Sequence, residues 1–456
     1  MELVSLNPAT GRIIRRYEAH SETGWRAEIE ACRLAHLAWR RAPLQERAEG
    51  LRRYADVLRR KKADMARLAS LEMGKTVREA LAEVDKCAEF LDVTAEHGPG
   101  ALADRPAHRA RGQSFVAFEP LGVILAVMPW NFPFWQAIRF AGPALLAGNA
   151  VALKHAANVT GCALAMRQAA NEAGLPHGLF GILLLPGEKV LEVLAHDAVQ
   201  GAALTGSAAA GSRLAEAAGH NIKKTVLELG GSDPLAVLDD ADLAACAAAA
   251  AGYRLRNAGQ TCLAPKRMIA VRPVAEEFEQ RLVREFAAVR LGDPLDEATD
   301  MGPLARQDLR ERVHRQVEES VRLGARLAAG GRPLTGPGFY YEPTILADVR
   351  PGMPAWDEEL FGPVAALAVA ESEEHAIRLA NDTPFGLAAS LWTSNTERGR
   401  RLAREIEAGS VTVNGPSGSD FFLPFGGVKQ SGYGREMADE GVREFTNIKS
   451  IRVFET

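Results

Sequence analysis

The chain has 456 residues, of which 47% are hydrophobic and 25% charged, an ordinary globular composition with room for about two to four domains and a large core. Its net charge of −4 argues against nucleic acid or an anionic membrane as the main partner. No apolar run approaches the length of a membrane span, and the opening residues, MELVSLNPATGRIIRR, lack the basic-then-apolar form of a secretory signal.

The first hundred residues read as mainly helical. In LRRYADVLRRKKADMARLASLEMGK, Leu51, Tyr54, Leu58, Met65 and Leu68 keep near-helical spacing, and Gly74 can stop the helix. The pattern then changes to short apolar runs between helical stretches: GVILAVMP, AVALKHA, GILLLPG and AALTGS. These predict βαβ units and a parallel sheet of buried strands. A second such series starts near Pro234 with PLAVLD, RMIAVRP, VAALAVA, AASLWTS and GSVTVNG. Two α/β domains leave a cleft between them, a common place for ligands. The glycine-rich LPFGGVKQSGYGRE near the end reads as a close-packed or mobile loop. The five cysteines, Cys32, Cys87, Cys162, Cys246 and Cys262, are scattered, with no CxxC pair and no Cys/His metal-ligand spacing. Neither a disulfide framework nor a zinc site is expected, which points to a reducing cytoplasm.

Candidate chemical groups follow in chain order. Asn131, between Trp130 and Phe132 and flanked by Pro129 and Pro133, sits on a rigid turn where its amide could donate to a developing oxyanion; a plain turn asparagine is the commoner case. Lys154 ends an apolar strand, and the carboxyl ends of parallel strands are where nucleotides bind. In ALTGSAAAGSRLAE, Gly206 and Gly211 would let a phosphate approach the backbone, although the spacing is not GxGxxG. Glu228 stands just before two glycines, where a carboxylate is usually just solvated. Cys262 follows the alanine-rich run DLAACAAAAAGYRLR and Gly259, so it belongs at a turn beside a cavity; most free cysteines are simply small buried hydrophobes. Taken singly, each group favours the bland reading, but the ordered set does not.

WNFP, LTGS, ELGGSDP, GQTC, EELFGPV and PFGGVKQSGYGRE, in this order, closely resemble the NAD(P)-dependent aldehyde dehydrogenase superfamily over essentially the whole chain. The KHAAN segment resembles the compact bacterial succinate-semialdehyde dehydrogenases. The resemblance implies an α/β fold with two doubly wound, Rossmann-like parallel-sheet domains and a small oligomerisation hairpin. Residues 1–100 and 121–230 would form the dinucleotide-binding domain and 231–430 the catalytic domain, with 101–120 and 431–456 as oligomerisation segments of a homodimer or homotetramer. Cys262 would be the nucleophile, Asn131 and the Cys262 backbone N–H the oxyanion donors, and Glu228 the base that activates water on the thioester. A free thiol has a pKa of about 8.5, so the nucleophile needs activation. Lys154 would bind the adenosine ribose, Gly206 and Ser207 the pyrophosphate, and Glu359 the nicotinamide ribose, with Phe361 and Trp130 packed nearby. Ala157 stands where NAD-preferring members often carry a glutamate, so both NADP and NAD are expected to serve. Ala264 excludes the redox disulfide that some relatives form. Arg139, Arg256 and Ser419 match positions that hold a substrate carboxylate, which implies succinate semialdehyde first and glutarate semialdehyde next. A broader-specificity aldehyde dehydrogenase is the alternative. A Cys–Glu–Lys amidohydrolase built from Cys262, Glu228 and Lys154 is remoter, because it leaves WNFP, EELFGPV and PFGG without a role. A non-catalytic binding role predicts loss of the nucleophile or base, and both are present.

Overall fold

A computed structural model describes residues 2–454; Met1 and residues 455–456, which fall in the expected 1–100 and 431–456 segments, lie outside the described residues. The described chain begins with an antiparallel hairpin, Glu2–Asn7 with Arg12–Glu18, inside the stretch expected to be mainly helical. Helices Glu22–Trp39, Leu44–Arg60, Lys62–Met73 and Val77–Ala101 follow. The helix expected to run through to Gly74 is interrupted at Lys61, and Gly74 closes the second piece at φ 87°.

Two parallel-dominated sheets organise the rest. In the first, strands Lys224–Glu228, Val199–Thr205, Val123–Met128, Ala150–His155 and Phe180–Ile182 lie side by side and parallel. Chain order reverses between Val123–Met128 and Val199–Thr205, which is the switch point where α/β sheets bind ligands. The short strand Gly432–Tyr433 pairs antiparallel with Lys224–Glu228, so part of the late glycine-rich loop completes this sheet. The second sheet runs Arg326–Ala329, Thr344–Ala347, Val364–Ala370, Arg267–Val271, Pro234–Val237, Ala388–Trp392 and Ser410–Val413, parallel except for its first strand. The inner strands are apolar on both faces because helices cover both, and this is why they read as continuous hydrophobic runs. Each sheet has its own buried hydrophobic cluster. A third, antiparallel sheet joins Thr446–Val453, Gln113–Pro120 and Arg105–Pro106. No helix among the described residues is long and apolar enough to cross a membrane.

Candidate active site

The cysteine turn is built by backbone strain held in place. Helix Leu243–Leu255 ends at Arg256, and Asn257, Ala258 and Gly259 then take φ of 54°, 53° and 73°. That left-handed run is costly for asparagine and alanine, so the surroundings must hold it. Arg254, fully buried, donates to the carbonyls of Gly259, Leu360 and Gly362. Glu79 accepts from the Asn257 N–H at 2.7 Å. A Cβ on Gly259 would stand 2.1 Å from the Gly362 carbonyl oxygen, so no other residue fits there. The chain leaves this run directly into Cys262, which sits on a turn and is partly exposed, while the other four cysteines are buried.

Cys262 opens onto a cavity of about 140 Å³ whose walls include Phe132, Trp135, Arg139, Arg256, Lys86 and Ser419. Three of the residues matched to a substrate carboxylate, Arg139, Arg256 and Ser419, therefore meet the nucleophile in one space. Burial pushes the Cys262 thiol up to about 11, against the opposing charges of Lys266 and Arg139. The resting sulfur is protonated, so attack must be accompanied by loss of that proton. Asn131 is buried, and its amide donates to the Gln260 carbonyl at 3.0 Å while Asn257 donates to the Asn131 carbonyl at 2.8 Å. One hydrogen of the Asn131 amide is thus used for positioning and the other is left for a ligand. The Cys262 N–H has no acceptor among the described residues.

The turn that carries Asn131 is anchored from two sides. Glu83 accepts from the N–H groups of Phe134 and Trp135, at 2.8 and 2.9 Å, and pairs with buried Lys75. His155, at the end of Ala150–His155, contacts the Pro133 carbonyl through Nε2 at 2.7 Å and receives the Ala156 N–H on Nδ1 at 2.9 Å. Burial lowers its pKa to about 4, so a neutral ring with the proton on Nε2 satisfies both contacts.

Glu228 does not line the cavity in this conformation. It ends strand Lys224–Glu228, is 2% exposed, and neither carboxyl oxygen has a hydrogen-bond partner among the described residues. Burial, reinforced by the charge of Glu436, raises its pKa well above the usual carboxylate range, with Arg139 and Arg435 opposing. Arg139 itself forms a buried ion pair with Glu436 and stacks over Phe425 at 4.5 Å. The guanidinium expected to grip a substrate is therefore already engaged by a carboxylate of the late loop. Lys86 and Lys266 carry no sequence signal, because each looks like an ordinary surface charge until the fold places it, and Glu436 stands at the end of PFGGVKQSGYGRE with nothing in the sequence to pair it with Arg139.

The expected cofactor residues gather at the carboxyl ends of the first sheet and in the loop that precedes strand Val364–Ala370 of the second. Lys154 is half-buried, and its ammonium makes no hydrogen bond among the described residues. Burial lowers its pKa, partly offset by Glu188. Ser207 caps helix Ala208–His220, accepting from Ala210 N–H at 3.3 Å, and Gly206 donates to the Glu228 carbonyl at 2.9 Å. Glu359 accepts from Gly231 N–H at 3.1 Å and lies 3.5 Å from Lys266 Nζ, which also donates to the carbonyls of Thr261 and Cys262. A Cβ on Gly230 would come within 2.5 Å of Glu359, so glycine there makes room for the carboxylate. Trp130 and Phe361 meet edge to face, with centroids 5.8 Å apart. An unpartnered ammonium, a helix N-terminus and a fixed carboxylate along the switch point fit a dinucleotide. Lys154 does not line the Cys262 cavity, so the Cys–Glu–Lys amidohydrolase set is not assembled.

The scaffold is doubly wound α/β, with a partly exposed cysteine on a turn beside a cationic cavity and a dinucleotide-sized set of groups at the switch point. The aldehyde dehydrogenase family model matches residues 1–451. The chain is 48% identical over 451 residues to a probable succinate-semialdehyde dehydrogenase [NADP(+)] of Synechocystis, covering 99% of both chains. It is 44% identical to the succinate semialdehyde dehydrogenase [NAD(P)+] of Escherichia coli, covering 98% of this chain and 97% of that one. The crystal structure of the Streptococcus pyogenes succinic semialdehyde dehydrogenase in complex with NADP+ superimposes with a TM-score of 0.97 at 36% identity, covering 99% of each chain. The chain belongs to the aldehyde dehydrogenase family.

Proposed function

We propose that the enzyme oxidises succinate semialdehyde to its dicarboxylic acid, using NADP or NAD. The observation that supports this most is the cavity at Cys262, whose cationic and aromatic walls suit a short aldehyde with a carboxylate at its far end. In this reading the Cys262 thiol gives its proton to solvent water as its sulfur adds to the carbonyl carbon, and the Asn131 amide and the Cys262 N–H hold the oxyanion. When bound, the nicotinamide supplies the acceptor for the hydride that leaves that carbon. Trp130, Lys154, Gly206, Ser207, Glu359 and Phe361 would hold the dinucleotide. The thioester on Cys262 is then cleaved by water. Glu228, once turned toward Cys262 and ionised, takes the water proton as the hydroxide adds to the acyl carbon; the C–S bond breaks, the proton passes from Glu228 to the Cys262 sulfur, and the acid leaves.

We assign residues 1–100 and 121–230 to dinucleotide binding and 231–430 to catalysis. Segments 101–120 and 431–456 would join copies into a homodimer or homotetramer; the exposed Ile448 on strand Thr446–Val453 supports this. The five unpaired cysteines support a cytoplasmic setting. The test is an aldehyde panel read by reduced-nicotinamide absorbance with each cofactor. Succinate semialdehyde should exceed butanal by roughly 10-fold or more in kcat/KM, the value of one charge-assisted contact. Equal values would leave only a general aldehyde dehydrogenase.

A further inference from the structure

The cavity at Cys262 is lined by three cations, Lys86, Arg139 and Arg256, and one carboxylate, Glu83. Glu83 is taken up by Lys75 and by two backbone N–H groups, and Arg139 by Glu436. Two cations are left without a carboxylate partner among the described residues. Arg256 lies over the Phe132 ring at 5.6 Å. Lys86 projects from helix Val77–Ala101 over the Trp135 ring at 4.1 Å, and its ammonium donates to the Ser419 hydroxyl at 2.8 Å. A partly buried pair of like charges is unfavourable until a counter-charge arrives.

We infer that Lys86 is a substrate-binding residue: its ammonium, steered by Trp135 and Ser419, grips the far carboxylate together with Arg256. This rests on the reading that the substrate carries a carboxylate. The electrostatics agree. Burial, then the charges of Arg256 and Arg139, lower the Lys86 pKa to about 8, and Cys87 and Glu83 oppose them; Ser419, Trp135 and Phe421, which touch it, carry no charge, and Tyr253 and Cys262 are the other titratable residues of the cavity. Lys86 therefore loses its proton, and the substrate one of its two contacts, as pH rises through about 8.

The test uses the full-length enzyme with saturating NADP and compares succinate semialdehyde with butanal for wild type, Lys86→Met and Lys86→Arg. Lys86→Met should raise KM for succinate semialdehyde by roughly 10- to 100-fold, as expected for one lost charge-assisted contact, and leave butanal kcat/KM within about 3-fold. Lys86→Arg should restore most of the binding. In wild type, KM for succinate semialdehyde, but not for butanal, should climb above about pH 8, and Lys86→Arg should remove that climb because arginine does not titrate there. If wild type prefers succinate semialdehyde but Lys86→Met harms both aldehydes alike or neither, the Lys86 assignment is overturned and the substrate reading stands. If wild type prefers butanal, the substrate reading itself fails and the assignment falls with it.

Discussion

Glu83 and Glu228 are both carboxyls at the edge of one active site, and both are almost fully buried, at 3% and 2% exposed. Their surroundings are opposite. Glu83 is paired with Lys75 and accepts two backbone N–H groups, so it is a fixed, charged strut under the Asn131 turn. Glu228 has no hydrogen-bond partner on either oxygen and faces Glu436 across the late loop. A buried polar group that the fold leaves unsatisfied costs stability, and its retention points to chemistry. The contrast teaches that burial alone does not separate structure from function, whereas partner satisfaction does.

The contrast can be broken by exchanging each carboxyl for an amide. Glu228→Gln should lower turnover by roughly 10²- to 10⁴-fold, the usual worth of a general base, as steady-state rates with succinate semialdehyde would show. Normal turnover would move the base elsewhere. Glu83→Gln keeps an acceptor but leaves the Lys75 ammonium without its counter-charge. Breaking a buried pair costs about 3–5 kcal/mol, so denaturant unfolding should show a loss of that order. A change under about 1 kcal/mol would mean that Glu83 is no strut.

A third carboxylate sharpens the comparison by being placed where water reaches it. Ala157 is partly exposed, just past Lys154. Ala157→Glu would put a charge near the ribose, and repulsion of about 1–2 kcal/mol against a 2′-phosphate should shift the NADP-to-NAD ratio of kcat/KM by roughly 10-fold toward NAD. An unchanged ratio would show that this position does not set preference. The smallest effect is thermal. The folded-state pKa of Glu228 is raised, so its contribution to stability is fully present below the unfolded value and is lost as pH rises toward the folded one. Glu228→Gln should therefore melt near wild type at a pH below the unfolded carboxyl value and above wild type at pH 8, and a gap that narrows as pH rises would contradict the assignment.

The sheets and the cysteine turn were legible because their cause is local. Strands buried on both faces must be apolar throughout, and Gly259 closes the left-handed run that follows the alanine-rich helix Leu243–Leu255. The opening hairpin was not legible as strand: its second strand, Arg12–Glu18, is largely exposed and highly charged, so it lacks apolar alternation. The break at Lys61 carries neither proline nor glycine. Lys86 shares its helix with many solvated charges, and only the crossing of that helix over Trp135 and Ser419 sets it apart. Arg139 is legible only through its match to a position that holds a substrate carboxylate, and its partner Glu436 lies almost three hundred residues away, joined to it only by the folded loop.

The central claim, that Cys262 carries the acyl group and Glu228 releases it, is tested most directly by mass spectrometry of Glu228→Gln mixed with succinate semialdehyde and NADP. One equivalent of reduced cofactor is expected, with a succinyl thioester on the Cys262 peptide that persists after turnover stalls. A burst with no adduct, or an adduct on any other residue, would contradict it.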